Sequence, residues 1–120
     1  MSRLSEDLRE RTKLLATKVI RLYVLLPKKK KEVEVLGLQL LRSGTSIAAH
    51  AREASRARSD AEFCSKLDGL LQEADEAQLW VELLKEACAL ESVELNIVHQ
   101  ELSEILAIFT VIVSKVRRSL

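Results

Sequence analysis

The chain has 120 residues, of which 48% are hydrophobic but only 3% aromatic, with three glycines, one proline and a formal net charge of +1. That length suits one domain with its own core and requires neither a disulfide framework nor a structural metal. The near-neutral balance argues against a basic coat over the whole surface, and abundant Leu, Ala, Glu, Lys and Arg with so little glycine and proline exclude an all-β fold and predict long helices.

The first element is predicted over residues 3–26. Leu8, Thr12, Leu15, Val19, Leu22 and Leu26 recur at alternating steps of four and three, the repeat of a helix packed along its length against near-parallel partners. Arg3, Glu6, Asp7 and Arg9 interrupt any apolar run before it, so no secretory leader is expected and a cytoplasmic location is predicted. Pro27 and the lysines Lys28 to Lys31 end the element, since proline disfavours helix at the residue before it and has no N–H to donate. A second helix is predicted over 32–57, with the stripe Val33, Leu36, Leu40, Ser43, Ile47, His50 and Ala54. The third, over 60–89, opens on the capping-box pattern Ser59-Asp60-Ala61-Glu62 and carries the unbroken stripe Phe63, Leu67, Leu70, Ala74, Ala77, Val81, Leu84 and Cys88. Ser92, flanked by Glu91 and Glu94, caps a fourth helix over 93–118, striped by Leu95, Val98, Leu102, Ile105, Phe109, Ile112 and Val116. Its apolar run Ala107 to Val113 is far shorter than the roughly 20 residues of a membrane span and reads as core. Connections of a few residues force consecutive helices to run antiparallel, which gives a single all-α domain: an up-down-up-down four-helix bundle.

Cys64 and Cys88 fall on the third helix, about 36 Å apart at 1.5 Å per residue, so they cannot pair within one chain and read as free thiols. The second helix holds the unusual stretch "SGTSIAAHA", residues 43–51. A glycine inside a helix costs about 1 kcal/mol relative to alanine, and Gly37, Gly44 and Ala51 recur every seven residues on one face. They predict the close approach of another helix, within the subunit or between subunits. Ser43, Ser46 and His50 form a polar seam beside them, with the His50 imidazole bonded to Ser43, Ser46 or a backbone carbonyl. A metal role is not expected, because the one other histidine, His99, has no ligand-spaced companion and no stripe places a carboxylate in the core.

Charge is segregated along the chain. Residues 1–31 carry ten Lys/Arg against three acids, whereas residues 60–91 carry two against nine, so the first helix is basic and the third acidic. Ile20 and Val24 on the basic helix lie off its stripe; so do Leu79 and Leu83 on the acidic helix, with Trp80 beside them. Two apolar patches of opposite charge predict a head-to-tail contact between different surfaces, which closes into a ring where the rotation allows. The connection after the second helix places Arg52, Arg56 and Arg58 at the same end as Arg3 at the N-terminus and Arg117 and Arg118 at the C-terminus. These six are the candidate nucleic-acid contacts, and a ring would multiply them. Nearby Glu53, Asp60 and Glu62 and the absence of an aromatic series weigh against that use. No Gly-rich phosphate loop, zincin motif, nucleophile elbow or Cys/His pair appears, so neither an enzyme nor a cofactor is predicted.

The run "QLLRSGTSIAAHAREASRARSDAEF…KL…EADEAQLWVELL", Gln39 to Leu84, resembles the signature of the bacterial four-helix-bundle proteins first noted as products of intervening sequences in 23S ribosomal RNA genes. Gln39, Arg42, Ser46, Ile47, Glu53, Ser59, Phe63, Leu67, Glu73 and Glu82 carry the match. His50 departs from it, standing where that family usually has asparagine. The resemblance implies a cytosolic bundle assembled as a homopentamer, with no established enzymatic activity. A related accessory protein of diversity-generating retroelements has a similar bundle and ring and binds nucleic acid and a reverse transcriptase. The expected function is therefore a non-enzymatic oligomeric scaffold or adaptor; the alternative is a nucleic-acid-binding accessory protein that uses the basic end of the ring.

Overall fold

A computed structural model describes residues 3–120 and shows four α-helices: α1 (Glu6–Leu25), α2 (Lys31–Ser55), α3 (Asp60–Glu86) and α4 (Val93–Arg118). Each packs antiparallel to the next and α1 closes the square against α4, while the backbones of the diagonal pairs stay apart. The result is a rod of 48 × 22 × 21 Å with the up-down-up-down order that short connections impose.

The stripes form the core. From Phe63 to Leu84 every predicted α3 position is buried, as are Leu15, Val19 and Leu22 on α1 and Leu95 to Phe109 at heptad spacing on α4. Near the end of α4 the buried position is Val113, with Ile112 and Val116 half-buried at the edge of the core. Among the described helices α4 is long and apolar enough by length and composition to cross a membrane; here its Leu95, Leu102, Ile105 and Phe109 side chains are fully buried in the bundle.

Three helix ends differ from the sequence expectation by two residues or more, and the end of α1 and the start of α2 by one each. α1 begins at Glu6 rather than 3, because the Ser5 hydroxyl accepts the Leu8 N–H at 3.2 Å and sets the start there. α2 ends at Ser55 rather than 57, where Arg56 leaves the helical region. α3 stops at Glu86 rather than 89: Ala89 takes a left-handed φ of 55°, and Leu90 turns back to donate its N–H to the Leu84 carbonyl. Cys88 therefore lies past the helix and is half-buried, whereas Cys64 is buried. At the N-caps of α3 and α4 the hydroxyls of Ser59 and Ser92 accept the N–H of Glu62 and Leu95, both at 3.0 Å.

The small-residue face of α2 turns inward onto α1 of the same chain. A Cβ at Gly44 would stand 2.8 and 2.9 Å from the two Val19 methyls, and one at Gly37 would stand 2.8 Å from a Leu26 methyl. Both sites let α1 approach, but they differ in tolerance. Val19 is β-branched and fully buried, so it has no other rotamer to take; Leu26 meets Gly37 with the end of a flexible side chain. Gly44→Ala is expected to lower stability by about 1–2 kcal/mol, overpacking exceeding the helix-propensity gain, while Gly37→Ala stays within about 0.5 kcal/mol of the parent. Ala89→Gly should raise stability by about 0.5 kcal/mol by relieving the left-handed alanine. Urea midpoints at one fixed protein concentration check all three.

Candidate assembly and nucleic-acid surfaces

The polar stretch of α2 sits at the α2–α3 edge. Ser43 is buried, with its hydroxyl donating to the Gln39 carbonyl at 2.9 Å, so it satisfies itself within its own helix. Ser46 and His50 are half-buried, not buried as the seam reading expected. The cause is the glycine face: once Gly37, Gly44 and Ala51 point at the interior, the helix is rotated so that Ser46 and His50 move to its flank. His50 Nδ1 lies 2.8 Å from the Ser46 carbonyl oxygen, and since a carbonyl only accepts, Nδ1 carries the proton. The rest of the ring fills a notch in α3: a Cβ at Gly69 would stand 2.6 Å from His50 Cδ2 and 2.7 Å from Nε2. The sequence reading gave Gly69 no role, although it is the one glycine of α3. Gly69→Ala is expected to cost about 1–2 kcal/mol, and His50→Ala in the same chain should recover most of that loss, which a double-mutant cycle of unfolding free energies would measure.

Ion pairs and hydrogen bonds tie the seams between helices. Arg11 of α1 reaches Glu101 at 2.7 Å and also Glu104 on α4, and these carboxylates hold the guanidinium pKa above its ordinary value. Gln78 donates to the Ser103 hydroxyl at 2.6 Å, and His99 Nε2 lies 2.8 Å from Glu82. Between α2 and α3, Lys66 stands 3.0 Å from Glu53 and, through its hydrogen bond, holds that carboxyl below the usual glutamate range. A depressed carboxyl pKa contributes stability above its unfolded value, lost as pH falls through the folded value. On the acid side this pair weakens as Glu53 takes up its proton, and at the surface it contributes little.

The six candidate nucleic-acid arginines divide into two groups. Arg3 is a structural clamp: its N–H donates to the Ser55 carbonyl at 3.1 Å, its Nε donates to the Ala57 carbonyl at 2.8 Å, and its guanidinium pairs with Asp60. It ties the start of the chain to the α2–α3 connection and occupies carbonyls that the end of α2 leaves open. Arg117 grips Asp68 through both terminal nitrogens, the shorter contact 2.6 Å, and Arg58 lies 3.8 Å from Glu62. Arg52, Arg56 and Arg118 are exposed and bonded to no acid. Arg52 and Arg56 belong to a cleft of about 750 Å³ that runs between α1 and α2 to the start of α3, whose other cations are Arg9, Lys13 and Lys66 and which includes Ala48 and Ala49. Arg9 Nε is buried there with no hydrogen-bond partner among the described residues. Arg9 and Lys13 were not among the candidate nucleic-acid contacts; the signal was their spacing four apart on one face of α1.

The five candidate interface residues are not equally open. Ile20 is 46% exposed, Val24 69% and Leu79 45%. Leu83 is half-buried, and Trp80 packs against the edge of the core. Trp80 lies two heptads after Lys66, which bonds Glu53 of α2, and so falls on the α2 side of α3, about 100° round the helix from Leu79, which is why its indole is partly covered. Leu38 and Val35 of α2 are also exposed, as are Leu14 and Leu25 of α1 and Val93 and Ile97 of α4. None of these six was anticipated. Among the described residues no group of His, Cys, Asp and Glu could hold a metal ion.

The model of the 23S rRNA-intervening sequence protein family matches residues 6–110. The chain belongs to that family. Its fold is similar to that of a protein of unknown function from the S23 ribosomal protein family of Bacteroides thetaiotaomicron VPI-5482, at 34% identity and a TM-score of 0.79, covering 88% of this chain and 96% of that one. Among curated proteins none matches. The match spans all of α1, α2 and α3 and most of α4, so the signature read from Gln39 to Leu84 marks the whole bundle rather than one helical pair.

Proposed function

We propose that this 23S rRNA-intervening sequence protein is a non-enzymatic scaffold that works as a ring of identical subunits, a homopentamer by its family resemblance, joined head to tail. One observation carries the reading. Ile20 and Val24 lie exposed on basic α1 while Leu79 lies exposed on acidic α3, and α1 and α3 occupy diagonal corners of the bundle. Two patches of unlike charge on opposite sides of one subunit suit a heterologous contact, since a neighbour on one side leaves the other free. Free thiols at Cys64 and Cys88 fit a reducing, cytoplasmic setting. The scaffold would present its surface to another macromolecule, and the chemistry asked of it is positional rather than catalytic.

A second reading, nucleic-acid binding, retains one observation in its favour. Arg52 and Arg56 share their cleft with Arg9 and Lys13, and none of the four is bonded to an acid. Against it, Arg3, Arg58 and Arg117 are already paired, and Glu6, Glu10, Glu53 and Glu62 line the same cleft.

Two measurements test these readings. Equilibrium sedimentation at micromolar concentration should show an oligomer, and Leu79→Glu with Leu83→Glu should dissociate it with helical circular dichroism unchanged. A monomeric parent protein contradicts the ring; unfolding of the double variant would place those leucines in the core instead. Filter binding to RNA and DNA at low and moderate salt decides the second reading: it predicts retention that falls steeply with salt and is lost in Arg52→Glu with Arg56→Glu. The scaffold reading predicts no salt-sensitive retention.

A further inference from the structure

The seams that join the subunits have a register. On the outer flank of α1, Lys13, Thr17, Ile20 and Val24 follow one another at steps of four, three and four, and on the outer flank of α3 so do Gln72, Glu76, Leu79 and Leu83. Neither series belongs to the buried stripe of its helix. Each therefore forms a second ridge at the coiled-coil spacing, facing away from the core. The two ridges are also graded alike: a polar half toward the helix N-terminus, an apolar half toward the C-terminus.

We infer that α1 of one subunit packs in parallel against α3 of a second copy, with Ile20 beside Leu79 and Val24 beside Leu83. This rests on the ring reading and adds to it the partner helix, its direction and its register. The offset that joins Ile20 to Leu79 carries Thr17 to Glu76 and Lys13 to Gln72. Apolar side chains meet apolar side chains, and the cation of the α1 ridge, Lys13, lies one turn from the acid of the α3 ridge, Glu76.

Direction follows from two independent constraints. In an up-down-up-down bundle α1 and α3 point the same way, so copies repeated about an axis along the rod keep α1 parallel to a neighbour's α3. The parallel register also lays all of α1 (Glu6–Leu25) within the span of α3 (Asp60–Glu86). The antiparallel alternative, Ile20 beside Leu83 and Val24 beside Leu79, pairs Thr17 with Glu86. It runs the N-terminal half of α1 past the end of α3, where Lys13 would face Leu90. Only about half of α1 would then have a partner, and the matching polar halves would not meet.

Cysteine cross-linking reads the register directly, because a disulfide forms only where Cα atoms come within about 7 Å. In a Cys64→Ala/Cys88→Ala background shown to sediment as the parent does, Thr17→Cys with Glu76→Cys should give an oxidised ladder of dimers and higher species. Thr17→Cys alone, and Thr17→Cys with Glu86→Cys, should give none above background. In the unmodified background Lys13→Glu should weaken association at least about tenfold at low salt, and Glu76→Lys in the same chain should restore most of it. A ladder from the Thr17/Glu86 pair overturns the parallel register. Absence of both ladders from a protein that still sediments as an oligomer overturns the α1–α3 contact while leaving the ring standing, and would point to the Leu14, Leu25, Val93 and Ile97 surface. A monomeric parent removes the ring and this inference together.

Discussion

The bundle depends on α3 presenting a ridge that is buried from one end to the other. Phe63, Leu67, Leu70, Ala74, Ala77, Val81 and Leu84 leave no gap, and all but Phe63 are sealed from solvent entirely. Alternating steps of three and four average 3.5 residues, so the ridge stays on one side of a gently supercoiled helix for its whole length. Its neighbours α2 and α4 must then run alongside rather than across it, and α1 closes the square. The two alanines at the centre matter as much as the leucines. At Ala74 and Ala77 the ridge is low, which leaves room for side chains of the neighbouring helices. The antiparallel order, the shape of the rod and the diagonal placement of α1 and α3 all follow from that one element and short connections.

Within that frame the second helix is specified by volume rather than by hydrophobicity. Its heptad stripe places Leu36 and His50 at the core, yet both are half-buried, and Gly37, Gly44 and Ala51 lie deeper. Packing prefers the arrangement in which backbones come closest, because dispersion falls steeply with separation. With no side chain at Gly44, α1 can seat Val19 directly on the α2 backbone. The rotation this imposes moves His50 to the α2–α3 edge, where Gly69 opens space for the ring. One missing Cβ on each of two helices thus decides where the unusual polar residue goes.

Much of this was legible in the sequence, and the remainder was hidden for identifiable reasons. Periodicity located all four helices and nearly all of the core, because burial of a continuous ridge is a property of one helix at a time. Caps were legible where a hydroxyl preceded a strong stripe, as at Ser59 and Ser92. Ser5 escaped because the stripe of α1 begins weakly at Leu8. Properties that need two elements at once were harder to read. The pairing of Gly69 with His50 crosses from α2 to α3, and the use of Arg3 as a clamp depends on Ser55 and Ala57 lying beside it. A cluster of arginines at one end looks cationic in the sequence, but half of its members already face carboxylates. The Trp80 indole was read as outward by position alone, whereas its breadth lets it cover the edge of the core.

The distribution of charge explains why the leftover apolar positions need not lead to indiscriminate aggregation. A subunit with exposed isoleucine, valine and leucine on several faces could stick to its copies in many orientations, since hydrophobic contact carries little direction. Segregating basic residues to α1 and acidic residues to α3 changes that. α1 against α1 or α3 against α3 brings like charges together, and among the pairings that involve both helices the parallel one lets the polar halves and the apolar halves of both ridges meet at once. Like-charge repulsion removes the wrong partners more effectively than attraction selects the right one. The cost falls on the monomer, which must carry a strongly acidic helix next to its own α2 and α4. Across the α3–α4 seam Arg117 pairs with Asp68 and the His99 ring meets Glu82, so part of the α3 acid is answered from within the subunit, whereas across the α2–α3 seam it is the α3 cation, Lys66, that answers Glu53 of α2.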